Sequence, residues 1–451
     1  MIDRRFFLKA SGTLAFSGLA SCSVLPSRKY SLIEHYQGYG PLLPDPKKLL
    51  DLPKGFSYKI ISQLSDVMSD GFQVPDRADG MGCFQLSANK VALVRNHELN
   101  INHLPKLDQQ IKSPLAYDSN INDVALSGGT TTIVYNLDSQ QVEQQYFSLI
   151  GTIRNCSGGV TPWGTWLTCE ESVYTPNGNI KKDHGYVFEV PATAKGLVKA
   201  SPLKAMGRFN HEAACVDPKS GIVYLTEDRG DSLFYRFIPN AKGELARGGQ
   251  LQALSIKGMP KFDSRNWEAS NMKLSTWYET EWINLDDPES PNDDLRERGY
   301  QQGATLFARG EGIYWAGSEL YFTCTNGGKK HLGQIMRYQP SLEQDNLVKQ
   351  GGKLQLFLES HDEKQFNYGD NLTVTPQGHL LVCEDQYTDV VDNHLRGVKP
   401  NGELYDFAKL NVQTEMAGAC FSPDGKVLFV NVYSPTMTLA IKGPWNDISS
   451  S

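Results

Sequence analysis

The sequence predicts an all-β fold, a six-bladed β-propeller with loop insertions on one rim. Three observations predict it. A hairpin recurs six times with an acidic or polar residue at its ends, and a further strand-like run follows every copy. Segments with the 3.6-residue period of a helix are scarce, and the stretch 342–350 offers at most a short helical run. A unit of three or four strands cannot cover both of its own faces, so such units stack around an axis and cover one another.

The first hairpin starts at Asp79, turns at Ser87-Ala88-Asn89-Lys90 and ends at His97-Glu98, with the strand run 130–135 behind it. The second runs from Cys156 through Thr161-Pro162-Trp163-Gly164 to Glu171, followed by 185–190. The third runs from Glu212 through residues 217–221 to Glu227, followed by 233–237. The fourth spans Glu311 to Asn326 around Trp315-Ala316-Gly317-Ser318, with 333–338 and 353–358 after it. The fifth spans Asp370 to Asp385 around Thr375-Pro376-Gln377-Gly378, with 402–405 following. The sixth starts at Glu415, turns at Ser422-Pro423-Asp424-Gly425 and reaches Asn431, with 438–441 last. The second to fifth copies share a spacing of fifteen residues between their ends. Proline presets φ for the turn and glycine supplies the left-handed residue, which fixes where each hairpin reverses. The longest insertion, 240–302, holds Trp267, Trp277, Trp282 and Asp286-Asp287 and reads as a lid or side wall, with a plain surface excursion as the alternative.

Three segments are expected. Residues 1–22 carry Arg4-Arg5 in Asp3-Arg4-Arg5-Phe6-Phe7-Leu8-Lys9 before a weakly apolar stretch, the twin-arginine export pattern. Leu19-Ala20-Ser21-Cys22 resembles a lipobox, so Cys22 is a candidate for lipidation; ordinary cleavage or a retained anchor are the alternatives. Residues 23–54 read as a Pro-, Ser- and Lys-containing tether, and 55–451 as the propeller. The expected location is the periplasm, the membrane through a lipid anchor, or the cell surface. The net charge of −7 argues against a nucleic-acid surface, and no run of eighteen apolar residues offers a membrane span. The eight cysteines include no CxxC pair, and most sit in apolar strand runs, so they read as buried small residues rather than a disulfide framework. Cys156 differs: it lies in the polar, glycine-rich Arg154-Asn155-Cys156-Ser157-Gly158-Gly159.

In a propeller the start of each hairpin lines the axis. The predicted inner set is Asp79, Cys156, His211-Glu212, Arg309 with Glu311, Asp370-Asn371, and Glu415. The outer set is His97-Glu98, Glu170-Glu171, Glu227-Asp228, Asn326, Glu384-Asp385 and Asn431. So many carboxylates cannot share a pocket as bare anions, and cations are the reading they favour. Carboxylates suit calcium, whereas a thiolate suits a transition metal, so the set hints at a mixed site. The candidate ligands are Asp79, Glu98, Cys156, Glu171, Glu212, Glu311, Asp370, Glu384, Asp385 and Glu415. Arg309, with a planar fork that matches phosphate, is the candidate phosphate contact; neutralising Glu311 or capping a rim loop is the alternative. Arg154 is a second anion candidate.

These stretches resemble the PhoX family of exported bacterial alkaline phosphatases. The resemblance is carried by residues 75–82, 94–98, GTIRNCSGGVTPWGTWLTCEE at 151–171, 207–213, 309–312, 422–425 and 441–445, and spans roughly 70–446. It implies a six-bladed propeller that hydrolyses phosphate monoesters with two oxo-bridged ferric ions (Fe3+) and several calcium ions (Ca2+). It implies Cys156 as the iron-binding cysteine, Glu171, Glu212 and Glu311 as metal-ligating glutamates, and Arg309 as the phosphate contact; Arg309, Glu311 and Cys156 are the expected catalytic set. The expected partners are small phosphate esters and the twin-arginine export machinery, and the chain is expected to act as a monomer. A calcium-dependent propeller lactonase or esterase, or a non-catalytic envelope scaffold, are the other readings of the same ring.

Overall fold

Alternation along each inner strand decides how its unit packs. In His211–Val216, Ala213 and Cys215 meet Phe322 and Met336 of the next unit, while Ala214 and Val216 meet Leu167 and Val187 of the preceding one. Such a strand is apolar on both faces and needs a neighbour on each side. The computed structural model describes residues 38–341, 351–386 and 390–446, and it closes these units into a ring.

Six blades form the ring. Their innermost strands are Ala78–Ser87, Asn155–Val160, His211–Val216, Gly310–Ala316, Gly369–Val374 and Met416–Phe421. Each packs against the next, and the sixth packs against the first. Six apolar clusters fill the seams, one between each pair of neighbouring blades. Burial at these seams supplies the main driving force, at roughly 25 cal/mol per Å² of apolar surface.

Blade 2 has three strands, whereas blades 1 and 6 have four. Blade 6 takes its fourth strand from the opposite end of the chain: Ser57–Gln63 pairs with Met437–Lys442, joining both ends of the domain in one sheet. The chain segment placed in a tether is folded from residue 38 onward. Leu50–Pro53 pairs with Leu404–Leu410 and extends blade 5, because its apolar side completes that blade's outer seam.

The insertion 240–302 joins two blades along their outer edges. Its first part, Gly249–Ile256, is the fourth strand of blade 3. A second strand, Trp277–Asn284, pairs with that edge and with Gly352–Glu359 of blade 4, which merges the two blades into one nine-stranded sheet. Two exposed strand edges are thereby covered. Trp282 ties the join: it lies under the Arg236 guanidinium of blade 3 and donates to Tyr338 Oη of blade 4 at 3.1 Å.

Among the described residues the cysteines are free, and Cys169, Cys215, Cys324, Cys383 and Cys420 are buried within strands. No helix among them is long and apolar enough to cross a membrane. The export motif, Cys22 and the run 342–350 lie outside the described residues.

Candidate metal centre

Every blade opens its inner strand with the same irregularity. Two residues on the inner strand oppose one on its partner: Asp79-Gly80, Cys156-Ser157, Glu212-Ala213, Glu311-Gly312, Asp370-Asn371 and Gly418-Ala419. A β-bulge of this kind re-aims a side chain out of the pleat. In five blades the first bulged residue carries a metal-binding group. In blade 6 it is Gly418, with φ +61°, whose added Cβ would sit 2.4 Å from Asp79 O. The second residue is small in five blades, Asn371 being the exception, because neighbouring inner strands approach closely there: a Cβ on Gly312 would lie 2.7 Å from Asn371 Cα.

Two further positions repeat around the axis, joined in each blade by one backbone hydrogen bond. Glu98, Glu171, Asp228, Thr325, Asp385 and Tyr433 donate their N–H to the carbonyls of Arg77, Arg154, Asn210, Arg309, Tyr368 and Glu415. Arg77, Arg154, Arg309 and Tyr368 have positive φ of 47–58°. A left-handed conformation is unfavourable for residues with long side chains, and here it recurs at one position of four blades. The outcome is three stacked tiers of side chains on one end of the axis.

Most of these side chains line a cavity of about 330 Å³, whereas Asn210, Thr325 and Tyr368 stand outside its wall. Its wall holds eight carboxyl groups (Asp79, Glu98, Glu171, Asp228, Glu311, Asp370, Asp385 and Glu415), the Cys156 thiol and three guanidinium groups, those of Arg77, Arg154 and Arg309. Glu212 lies just beneath, fully buried, with Oε1 3.3 Å from Cys156 Sγ; Asp79 Oδ2 is 3.5 Å from the same sulfur. Arg154 donates through Nε to Glu98 at 2.7 Å and through Nη2 to Glu171 at 2.5 Å. Arg309 grips Asp228 with Nε and Nη2 at 2.7 and 2.9 Å, and Nη2 also reaches Glu311 at 2.9 Å. Arg77 donates to Tyr433 Oη at 2.8 Å, and Tyr433 in turn donates to Glu98.

Three cations do not balance this many acids. Burial pushes Asp79, Glu171, Glu212, Glu311 and Glu415 well above the ordinary carboxylate range, and neighbouring carboxylates push in the same direction. Burial and Asp385 raise Asp370 to about 7. Burial, then Asp79 and Glu212, raise the Cys156 thiol. Three buried carboxylate oxygens, Asp79 Oδ1, Glu212 Oε2 and Asp385 Oδ1, have no hydrogen-bond partner. Orphaned buried acceptors call for an unseen partner, and here a cation satisfies them and the charge together. Two donor sets have the right size: Glu98, Cys156 and Glu171, and Glu212, Glu311 and Asp370, with ligand atoms within 4.8 Å of one another in each set. Ligands about 2.0–2.6 Å from a shared ion lie at such separations.

Of the ten ligands read from the sequence, nine come together here. Glu384 does not. It is fully buried inside blade 5, where it accepts from Asn367 N at 2.9 Å, Arg396 Nε at 2.8 Å and His394. The reason is register: Glu384 pairs with Gly369 inside the ladder, whereas Asp385 lies one residue past it and faces the axis. The same slip explains Glu227. Counting fifteen residues from Glu212 lands on Glu227, which accepts from Tyr235 Oη inside blade 3, while Asp228 is the residue in the cavity. Asn326 is likewise not the tier residue of blade 4; Thr325 is. Arg77, Tyr433, Asn100 and His103 also line the cavity without having been singled out. For Arg77 a signal existed, since it precedes its inner strand as Arg154 and Arg309 precede theirs.

Glu170 holds blade 2 as Glu384 holds blade 5, and its partner supplies a pH-dependent term. His184 Nδ1 lies 2.6 Å from Glu170 Oε1 and Nε2 lies 3.2 Å from Asp118 Oδ2. Burial alone lowers the His184 pKa, but the two carboxylates outweigh it and raise it to about 9. A raised folded pKa gives stability that is complete below the unfolded value of about 6.5 and is lost as pH rises through about 9. Thermal unfolding of wild-type protein is therefore expected to lose on the order of 1–3 kcal/mol between those limits. His184→Gln should be less stable at pH 6 and show a flatter profile; an unchanged slope would remove His184 from the account.

The family model for alkaline phosphatase PhoX matches residues 37–142 and 130–436, nearly the whole ring. The chain belongs to the PhoX family of alkaline phosphatases. Among solved structures, PhoX of Pseudomonas fluorescens in complex with vanadate, a transition-state analogue, superposes with a TM-score of 0.68 at 18% identity, covering 90% of this chain and 98% of that one. At that identity the likeness speaks for the fold, the PhoX propeller. A gluconolactonase from Xanthomonas campestris follows at a TM-score of 0.41, 11% identity and 90% and 98% coverage. The propeller domain of Cps50 (Swd1) from Myceliophteria thermophila gives 0.40, 9% identity and 85% and 99% coverage. No functionally curated protein matches the sequence.

Proposed function

We propose that this PhoX-family chain hydrolyses small phosphate monoesters at the acidic end of the axis, with a mixed set of metal ions held by the three tiers. The observation that carries the reading is the pair of compact donor sets beside orphaned carboxylate oxygens and arginine forks. Glu98, Cys156 and Glu171 include the thiolate and suit a transition ion, for which the family resemblance implies iron. Glu212, Glu311 and Asp370 offer only oxygen and suit calcium. Asp79, Asp385 and Glu415 supply further oxygens around them. Cations bound there withdraw charge from a phosphoryl group and so ease its hydrolysis.

The chain's own residues do the positioning. Asp228 fixes the Arg309 guanidinium and leaves Nη1 without a partner among the described residues. That nitrogen is available to a phosphate oxygen, and Arg154 is fixed similarly between Glu98 and Glu171. Both forks are preorganised, so they stabilise charge in the transition state without reorganising. Export by the twin-arginine route to the periplasm, with or without a lipid on Cys22, is proposed from residues 1–22 alone.

The test is metal quantification of the purified protein alongside p-nitrophenyl phosphate hydrolysis with and without chelator. Chelation is expected to abolish turnover, and iron with calcium to restore it. Full activity with calcium alone would overturn the mixed site. A metal-replete protein that cleaves lactones but no phosphoester, or that cleaves nothing, would overturn the phosphatase reading.

A further inference from the structure

A second cavity, of about 280 Å³, adjoins the acidic one on the same rim. Its wall is mainly apolar and includes Val74, Leu99, Leu104, Ile111, Leu126 and Phe147. The two share a boundary made of two short chain stretches. Asp76 lines the apolar cavity and Arg77 the acidic one; Leu99 lines the apolar cavity and Asn100 the acidic one; His103 lines both.

His103 is held at that boundary in one tautomer. Asn100 N donates to its Nδ1 at 3.0 Å, which leaves the ring proton on Nε2 as a donor. Leu104, the next residue, is 60% exposed although it lines the cavity, so an apolar surface continues outward from the acidic site. For comparison, a dry cavity of about 150 Å³ accepts one benzene ring, so this one has room for about two.

We infer that the apolar cavity is the leaving-group subsite of the phosphatase, built for phosphate monoesters of apolar alcohols, with His103 as the positioning residue between alcohol and phosphate. The inference rests on the phosphatase reading and deepens it. The phosphoryl group belongs among the arginines and donor sets, where charge is concentrated. The alcohol then projects from the acidic cavity, and on the His103 side that cavity borders apolar surface. A polyhydroxy alcohol would lose more hydrogen bonds to water than the few polar groups of that wall, Ser127 among them, could replace, whereas an aryl or alkyl group would lose only apolar hydration.

The test compares 2-naphthyl phosphate with phenyl phosphate, whose leaving alcohols have nearly the same acidity, so that chemistry is matched and burial is not. Wild-type metal-loaded enzyme is expected to favour the naphthyl ester by about tenfold in kcat/KM, as an extra apolar group in a fitting pocket does. Leu104→Asp, on an exposed position, and Ile111→Trp, which fills the cavity, should each reduce that ratio towards one. Binding of free 2-naphthol, followed by its fluorescence, should be saturable in the wild type and weakened in both variants. A wild-type ratio near one, or naphthol binding that neither variant weakens, overturns the subsite. Absence of any phosphatase turnover in metal-loaded protein overturns the phosphatase reading itself; naphthol binding that persists in that case identifies an apolar site that is not a leaving-group site.

Discussion

Cys156→Ala is expected to hydrolyse p-nitrophenyl phosphate at least about a thousandfold more slowly than wild type, the scale of several kcal/mol of lost charge stabilisation. The same variant is expected to lose its transition metal while keeping its fold. Cys156 lies on the first residue of the blade 2 bulge, with its sulfur close to Asp79 and Glu212 and within the Glu98–Glu171 donor set. It is therefore the one sulfur donor among the described residues of that wall. Removing it leaves a small space and no broken backbone bond, so far-UV circular dichroism should be unchanged. Metal content then separates two explanations of lost activity. Iron lost together with turnover supports Cys156 as a ligand. Iron retained at full stoichiometry with turnover lost would assign the thiol to substrate instead. Wild-type activity in the variant would sink both.

The scaffold was legible because a propeller repeats its local requirements. Each hairpin needs a turn, two apolar faces and a polar end, and those appear in order six times along the chain. Closure was not legible. Ser57–Gln63 carries no signal that it completes the last blade, because its partner Met437–Lys442 lies at the other end of the sequence and only the register joins them. At the site, the inner acids were found through the repeat, but a fixed spacing cannot see bulges and loops of unequal length. His211 pairs with Glu227 across sixteen residues and Gly310 with Cys324 across fourteen, so a constant fifteen drifts by one residue in opposite directions. One residue is enough to exchange a side chain facing the axis for one facing the blade interior. That drift ends the third hairpin on Glu227 instead of its neighbour Asp228 and the fourth on Asn326 instead of Thr325; in blade 5 the count of fifteen does reach Asp385, and Glu384, whose acid ties its own blade together, entered only as its neighbour.

Asp228 matters because it decides what Arg309 can do. Arg309→Ala is expected to lower kcat by about 10²–10³, the cost of removing one preorganised donor from a site where charge develops. Arg309→Lys should recover little of it. A lysine keeps the charge, but it cannot satisfy both oxygens of Asp228 and Glu311 and still present a donor to phosphate, as the guanidinium does with Nε, Nη2 and the remaining Nη1. Asp228→Asn separates position from charge. The amide can accept only one of the two Arg309 bonds and turns an N–H towards the other, so the fork rotates while its charge remains. For a positioning residue the expected result is a KM for phosphoester and an inhibition constant for inorganic phosphate both raised about tenfold, with kcat falling less than in Arg309→Ala. Glu311 makes this informative. In all three variants it stays buried beside Asp370 and Glu212, so if loss of the Arg309 charge acted only by disturbing the metal donors, Arg309→Ala would lose metal and Asp228→Asn would not change phosphate affinity. Unchanged phosphate inhibition in both Arg309 variants would show that Arg309 balances Glu311 and Asp228 and does not touch the substrate.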